Sequence, residues 1–437
     1  MKFPSSQSWR KLGALVAGVA LALSLTACSG GQSSSDTITL WHFFEDREAD
    51  VLQAVIDQFE ALHEGVKVDV HAGQDDDNMR QAIAAGEAID VGISYSRDQV
   101  GVLCSSGAFK DLAPFIARDN LDLSDIASGS LAYSQYDGTR CALPMLADVA
   151  AIYYNTAMLE AAGVAVPKTL EEWADAAVKL TTYNADGSID ILGFMPFMDY
   201  YETMAPNLGV AAQAQWLNAD GVTSAIGSDP GWVTILNWQK DLIERLGGYQ
   251  KLRNWAAGLG DEFSEENDFH TGRVAIIIDG EWRTAFLADQ APDLDYGTAP
   301  MPVASSHMDA YGAGYVDGNL VGIPRGSKNP DLAWELVKFL ALNTEAQVAM
   351  GNGLRNVPTI YSALESPDLD ADVHFQVFID AFEHPFSQTM PASVVGTEYL
   401  EIFTNFVHLW ESGAQTDLAA GLAKVDADIT AAIAWAG

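Results

Sequence analysis

The stretch TITLWHFFEDREADVLQAVIDQFEALHEGVKVDVH, residues 37–71, decides the fold. Thr37-Ile-Thr-Leu-Trp41 has the β-branched and aromatic content of a strand. Leu52, Val55, Ile56, Phe59 and Leu62 then recur at helical spacing, and Gly65 follows as a stop signal. Val66, Val68 and Val70 alternate with Lys67, Asp69 and His71, which predicts a second strand. Beyond Asp75-Asp-Asp-Asn78 the pattern gives a short helix and a third strand within residues 89–95. Strand, helix, strand, helix, strand in this order requires a parallel sheet covered by helices, an α/β fold. Ligands of such sheets bind beyond the carboxyl ends of the strands. The loops Trp41–Glu45, Gly73–Asp77 and Tyr95–Asp98 therefore face the binding end.

Upstream of this unit, Lys2, Arg10 and Lys11 precede an apolar run from Leu12 to Ala27. A basic start, a short apolar segment and a small residue before a cut describe a secretory signal peptide over 1–27. The run is shorter than the ~20 residues a membrane-spanning helix needs. Leu25-Thr-Ala-Cys28 resembles a bacterial lipobox, in which Cys28 is diacylated and becomes the mature N-terminus. Two acyl chains suffice for stable anchoring. Residues 28–36 are rich in Ser and Gly and read as a flexible tether. The expected location is extracytoplasmic, on the cell membrane.

Roughly 400 residues remain, more than one core usually holds, so two lobes are expected. The net charge of −37 opposes nucleic acid and anionic ligands. Of the three cysteines, Cys28 goes to lipid. Cys104 and Cys141 are left as an even pair in an oxidising compartment, either bridged or as two buried thiols. No Cys-x-x-Cys, paired-His, phosphate-loop or Gly-x-Ser-x-Gly pattern occurs, and neither a metal nor a cofactor is expected.

Further along, Pro167-Lys-Thr-Leu-Glu-Glu-Trp173 carries a capping box, with Thr169 capping and Glu172 reaching back. Val274-Ala-Ile-Ile-Ile278 is a short apolar strand running into Asp279-Gly-Glu-Trp282. Asn329-Pro330-Asp331 opens a helix with Asn as cap.

These pieces together resemble bacterial extracellular solute-binding proteins of carbohydrate ABC importers, the family of the maltose-binding protein. Leu143-Pro144 through Asn155 looks like the family's first crossing between lobes. Pro167–Trp173 looks like its Pro-Lys-Thr-Trp-type helix start, and Phe269–Trp282 like its Gly-x-Trp segment. Gly322-Ile-Pro through Phe339 looks like its Asn-Pro helix segment. The resemblance implies a two-lobed periplasmic-binding-protein-like fold with a hinge and a cleft between lobes. Lobe one would take 37–148 and 295–350, and lobe two 149–294 and 351–437. It implies a monomer that is no enzyme, holding a sugar, often an oligosaccharide, for the permease subunits of an importer. The same fold with a polyamine or peptide ligand, and an extracellular glycosidase, are the alternatives.

Sugars present apolar faces and a rim of hydroxyls, which call for aromatic rings with carboxylates and amides. By the resemblance, Trp282 is a stacking ring, or else a Trp buried in lobe two, with Glu281 beside it. Tyr95 and Asp98 fall on a lobe-one loop that holds ligand, and Asp148 on the crossing segment. His42 and Glu45 come from the first loop, where His42 is either a ligand group or a packing histidine. Tyr200 and Tyr201, and Met390 and Tyr399, lie where the family often presents an aromatic. Asp75–Asp77 reads as a solvated charge run. Departures from the maltose-binding protein around 198–208 and 312–319 leave the identity of the sugar open.

Overall fold

The computed structural model describes residues 36–436. The expected signal peptide over 1–27, Cys28 and the expected tether up to residue 35 lie outside the described residues.

The opening pattern folds as its periodicities require. Strands β1 (Thr37–Trp41), β2 (Lys67–His71) and β3 (Val91–Ser94) form, and β1 pairs in parallel with both others. The intervening helix Asp46–Leu62 buries Leu52, Val55, Ile56 and Phe59, one stripe of its surface. Gly65 turns the chain after it at φ 90°, a conformation open to glycine.

Six further strands complete two sheets: β4 (Ala142–Val149), β5 (Ala151–Asn155), β6 (Ile276–Asp279), β7 (Tyr296–Ala299), β8 (Val316–Gly322) and β9 (Val357–Pro358). The first sheet has the order β2-β1-β3-β8-β4-β9 and the second β6-β5-β7. In the first, β8 runs antiparallel between β3 and β4. In the second, β5 is antiparallel to both neighbours. Each sheet anchors its own core. Ile38, Leu40, Phe59, Val321, Trp334 and Leu340 pack in one, and Ile152, Trp173, Phe194, Trp232, Ile277 and Phe403 in the other. The chain passes from the first sheet to the second through the single residue Ala150, between β4 and β5.

The lobe boundaries differ from those expected near residues 295 and 350. β7 pairs with β5, so residues 296–299 belong to the second sheet and not to lobe one. β9 pairs with β4, so residues 357–358 belong to the first sheet and not to lobe two. Short strands carry little pattern of their own, and their partner is fixed by tertiary packing.

Helix Leu170–Leu180 starts with the capping box of Thr169 and Glu172. Helix Pro330–Leu342 starts at its proline, but Asn329 makes no side-chain cap there; its amide donates to Thr37 O and ties this helix to β1. Cys104 and Cys141 are joined as a disulfide across 5.3 Å between Cα atoms, linking the helix Val100–Ser105 to the residue before β4.

Candidate functional site

The ends of β1, β3, β4 and β6 and the start of β8 converge on a cavity of about 800 Å³ between the two sheets. A volume of this size suits a ligand of several rings.

One wall is polar and comes from the first sheet. Asp98 follows β3 in a short turn, where Ser96 caps by accepting a hydrogen bond from Asp98 N. Arg97 is fully buried behind it. Its guanidinium lies 3.3 Å from Asp317 and 3.7 Å from Asp98, against the rings of Tyr133 and Tyr315. Asp317 also accepts from Ser96 Oγ at 3.0 Å and from Arg97 N at 3.1 Å. Asp148, at the end of β4, accepts from Asn356 Nδ2 at 2.6 Å and from Asn319 Nδ2 at 3.4 Å. Burial, then the charge of Asp317, raises the Asp98 carboxyl to about 8 and lifts Asp148 well above the ordinary carboxylate range.

The opposite wall is aromatic. Trp282 follows β6, and Tyr201 lies 6.4 Å from it between ring centroids. Phe263 stands 5.6 Å from Tyr201, and Phe286 stands 5.6 Å from Phe263. Gly280 makes this shelf possible, because a Cβ there would collide with the Trp282 indole. Beneath the shelf, Asp279 accepts from Gly280 N at 2.7 Å and from Arg283 Nε at 2.5 Å. Phe43 and Tyr95 add an edge-to-face pair on the first-sheet side, 6.0 Å apart.

Six of the sequence-derived candidates line this cavity: Tyr95, Asp98, Asp148, Glu45, Tyr201 and Trp282. Met390 lines it too. Three candidates sit elsewhere. His42 is wholly buried beneath the first loop, 5.9 Å from the Phe44 ring, and burial lowers its imidazole to about 4. It packs as a neutral ring. Tyr200 turns away toward Phe197 and Arg253, and its neighbour Tyr201 takes the cleft position. Glu281 is fully buried at the junction of the sheets. Its carboxylate accepts from Val149 N at 2.8 Å and Val357 N at 3.3 Å, so it joins the end of β6 to β4 and β9. Tyr399 is buried and donates to Pro391 O; in the run expected to be solvated, Asp75 caps the helix Asp76–Ala85, and Asp76 is instead buried, because it accepts from Ser94 Oγ at the end of β3.

Sequence reasoning missed Phe263, Phe286, Tyr315, Asp317, Asn319 and Asn356. Phe286 stands four residues after Trp282, a spacing that shares one helix face. Asp317 and Asn319 lie two apart on β8, so they share one face of the sheet.

Asp199, His408 and Glu411 come close enough together to suggest a cation site. Arg253 already supplies the cation there, 2.6 Å from Asp199 and 3.2 Å from Glu411.

The comparisons with known proteins agree with this architecture. The family profile described as bacterial extracellular solute-binding protein matches residues 54–377. The chain is 22% identical over 376 residues to the maltotriose-binding protein of Pyrococcus abyssi (strain GE5 / Orsay), covering 83% of this chain and 74% of that protein. It is 23% identical over 370 residues to the maltooligosaccharide ABC transporter solute-binding lipoprotein of Streptococcus pneumoniae (strain ATCC BAA-255 / R6), covering 81% of each. Among solved structures, CpMnBP1 with mannotriose bound superposes with TM-score 0.78 at 22% identity, covering 90% of this chain and 99% of that one. The GacH receptor of Streptomyces glaucescens GLA.O gives TM-score 0.71 at 21% identity, covering 92% and 98%. The fold is therefore the two-lobed α/β arrangement of sugar-binding proteins of this kind, whose role is to bind solute and not to catalyse.

Proposed function

As the chain belongs to the bacterial extracellular solute-binding protein family, we propose that it is the lipid-anchored receptor of an ABC importer and captures an oligosaccharide between its lobes. One observation carries this reading: a shelf of aromatic rings from one sheet faces a wall of carboxylates and amides from the other across one cavity. Rings match the apolar faces of sugar units, and the polar wall accepts from their hydroxyls. The names of the relatives, which bind maltotriose or maltooligosaccharides, support the same ligand class.

The two-sided site has a mechanistic consequence. A ligand shifts the balance between open and closed lobes only by its differential affinity for the two. A sugar held by both walls favours closure, and the closed form is what permease subunits would recognise. Ala150 between β4 and β5, with the strut of Glu281 beside it, is the pivot on which such closure would turn.

A thermal-shift screen of mono- and oligosaccharides, with polyamines and peptides as the contrasting set, tests this reading. A ligand at 100-fold its Kd adds about 2.7 kcal/mol to stability. Stabilisation by the contrasting set alone, with none from any saccharide, overturns the proposal. Anchoring is tested by Cys28→Ser, which should leave an unprocessed precursor or release the protein from the membrane fraction. A variant that is cut normally and stays membrane-bound removes the lipid anchor from the scheme.

A further inference from the structure

The ring shelf of the cleft is covered at one end. Tyr201 and Phe263 are exposed. Over Phe286, the next ring after Phe263, stands the Arg47 guanidinium, 5.2 Å from the ring centroid and within the range of a cation–π contact. Arg47 comes from the opposite lobe. It lies in the first turn of helix Asp46–Leu62, which packs on the first sheet, while Phe286 and Asp289 lie on helix Arg283–Gln290, which packs on the second. Arg47 Nε is 3.6 Å from Asp289 Oδ2, an ion pair across the cleft that is too long for a hydrogen bond. All three residues line the cavity, and the Asp289 side chain is 61% exposed. Their contact therefore joins the two walls where the cavity meets solvent.

Arg47 is held in place from its own side. Its Nη1 donates to Gly353 O at 2.6 Å, near the end of helix Thr344–Leu354, and Nη2 lies 3.7 Å from Glu48 Oε1. Asp46, immediately before it, has φ 42°, a left-handed conformation uncommon for a residue with a side chain. Strain of this kind persists where the surrounding structure demands one course of the backbone. Two donors are left over: Nε and Nη2 are shut off from solvent and make no hydrogen bond. A buried donor without a partner costs stability, and a hydroxyl arriving in the cavity would satisfy it.

A saccharide lying on the rings thus meets donors and a barrier at the same place. The unit next to Arg47 accepts from Nε and Nη2 through its hydroxyl oxygens. A further unit would have to lift the guanidinium from Phe286 and part it from Asp289. We infer that Arg47 closes one end of the cleft, so that the site captures a saccharide by its chain end, with the terminal unit against Arg47 and the remainder on the shelf. This inference rests on the sugar-binding reading given above and adds to it selection for a free chain end.

Calorimetric titration of the full secreted chain tests the inference with matched probes. Maltotriose, cellotriose and mannotriose are each used plain, with a benzylidene group on the non-reducing unit, and with an aminobenzamide group on the reducing unit. In whichever series binds, one of the two capped forms should bind the wild type at least about tenfold more weakly than the plain form. The ratio of capped to plain affinity is the readout, because a uniform change in affinity cancels from it. Arg47→Ala should bring that ratio to within about threefold of unity. Asp289→Ala, at an exposed position, should shift it in the same direction by less, and decides the matter if the first variant does not fold. Melting of the unliganded variants is the control for folding. Equal binding of the plain and both capped forms by the wild type overturns the inference and leaves the sugar reading standing. So does a ratio that the variants leave unchanged or drive further from unity. Binding of no saccharide, plain or capped, overturns both.

Discussion

Trp282 shows how a single residue depends on its neighbour. The indole lies over Gly280, and any Cβ at 280 would strike the ring. The pair is one device, in which the glycine supplies the space and the tryptophan the surface. Trp282→Ala should weaken saccharide binding by about ten- to hundred-fold, from lost stacking and lost apolar contact. Gly280→Ala should weaken it too, by displacing a ring that is still present. Calorimetric titration measures both, and unchanged affinity in both variants would remove the shelf from the site. The Gly-x-Trp pattern made this pair legible in the sequence. His42, Tyr200 and Glu281 were not legible, because each stands next to a residue of the cleft and differs from it only in which way the backbone turns it. Tyr200 and Tyr201 are the plainest case: two identical residues, one packed on Arg253 and one lining the cavity.

Elements were read best where their own pattern is strong. The stripe of helix Asp46–Leu62, the capping box at Thr169 and the apolar strand ending at Asp279 all formed. Strands of two to four residues, such as β7 and β9, lack enough positions to show which sheet they join. The disulfide belongs to this scale, since it ties an element to its neighbour. It spans 37 residues, and by the chain-entropy estimate such a loop contributes about 4 kcal/mol. Replacing Cys104 and Cys141 together by Ala should lower the denaturant midpoint by a corresponding amount and leave saccharide affinity nearly unchanged, because neither cysteine lines the cleft. No change in the midpoint would show that the bridge does not stabilise the native state.

The whole molecule responds to pH through several buried groups at once. Burial raises the carboxyls of Asp76 and Glu411 to about 7 and that of Asp98 to about 8. The folded state therefore binds protons that the unfolded state, with ordinary carboxyls, has already released. Stability from these groups is complete below the unfolded range near 4 and is lost as pH rises through 7 and 8. His42 and His270 act in the opposite direction. Burial holds both near 4, so they withhold stability as pH falls from about 6.5 toward 4. Between pH 8.5 and 6.5 the carboxyls act alone, and the melting temperature of the unliganded protein should rise as pH is lowered across that range. Below 6.5 the histidines should flatten the rise. A melting temperature that falls steadily from pH 8.5 to 6.5 would contradict these assignments.

The position of β8 in the middle of the first sheet sets a timetable for the chain's birth. β3 and β4 never touch each other; the strand between them is made long after both. Ser96 and its partner Asp317 are 221 residues apart. At synthesis rates of roughly 5–20 residues per second, the first half of the sheet waits on the order of 10–40 s with open edges on two strands. Whatever carries the nascent chain outward meets it while it is still unable to close. A fragment ending at residue 155 should accordingly show no cooperative unfolding transition by circular dichroism, and should gain one only when a second fragment supplying residues 300–436 is added.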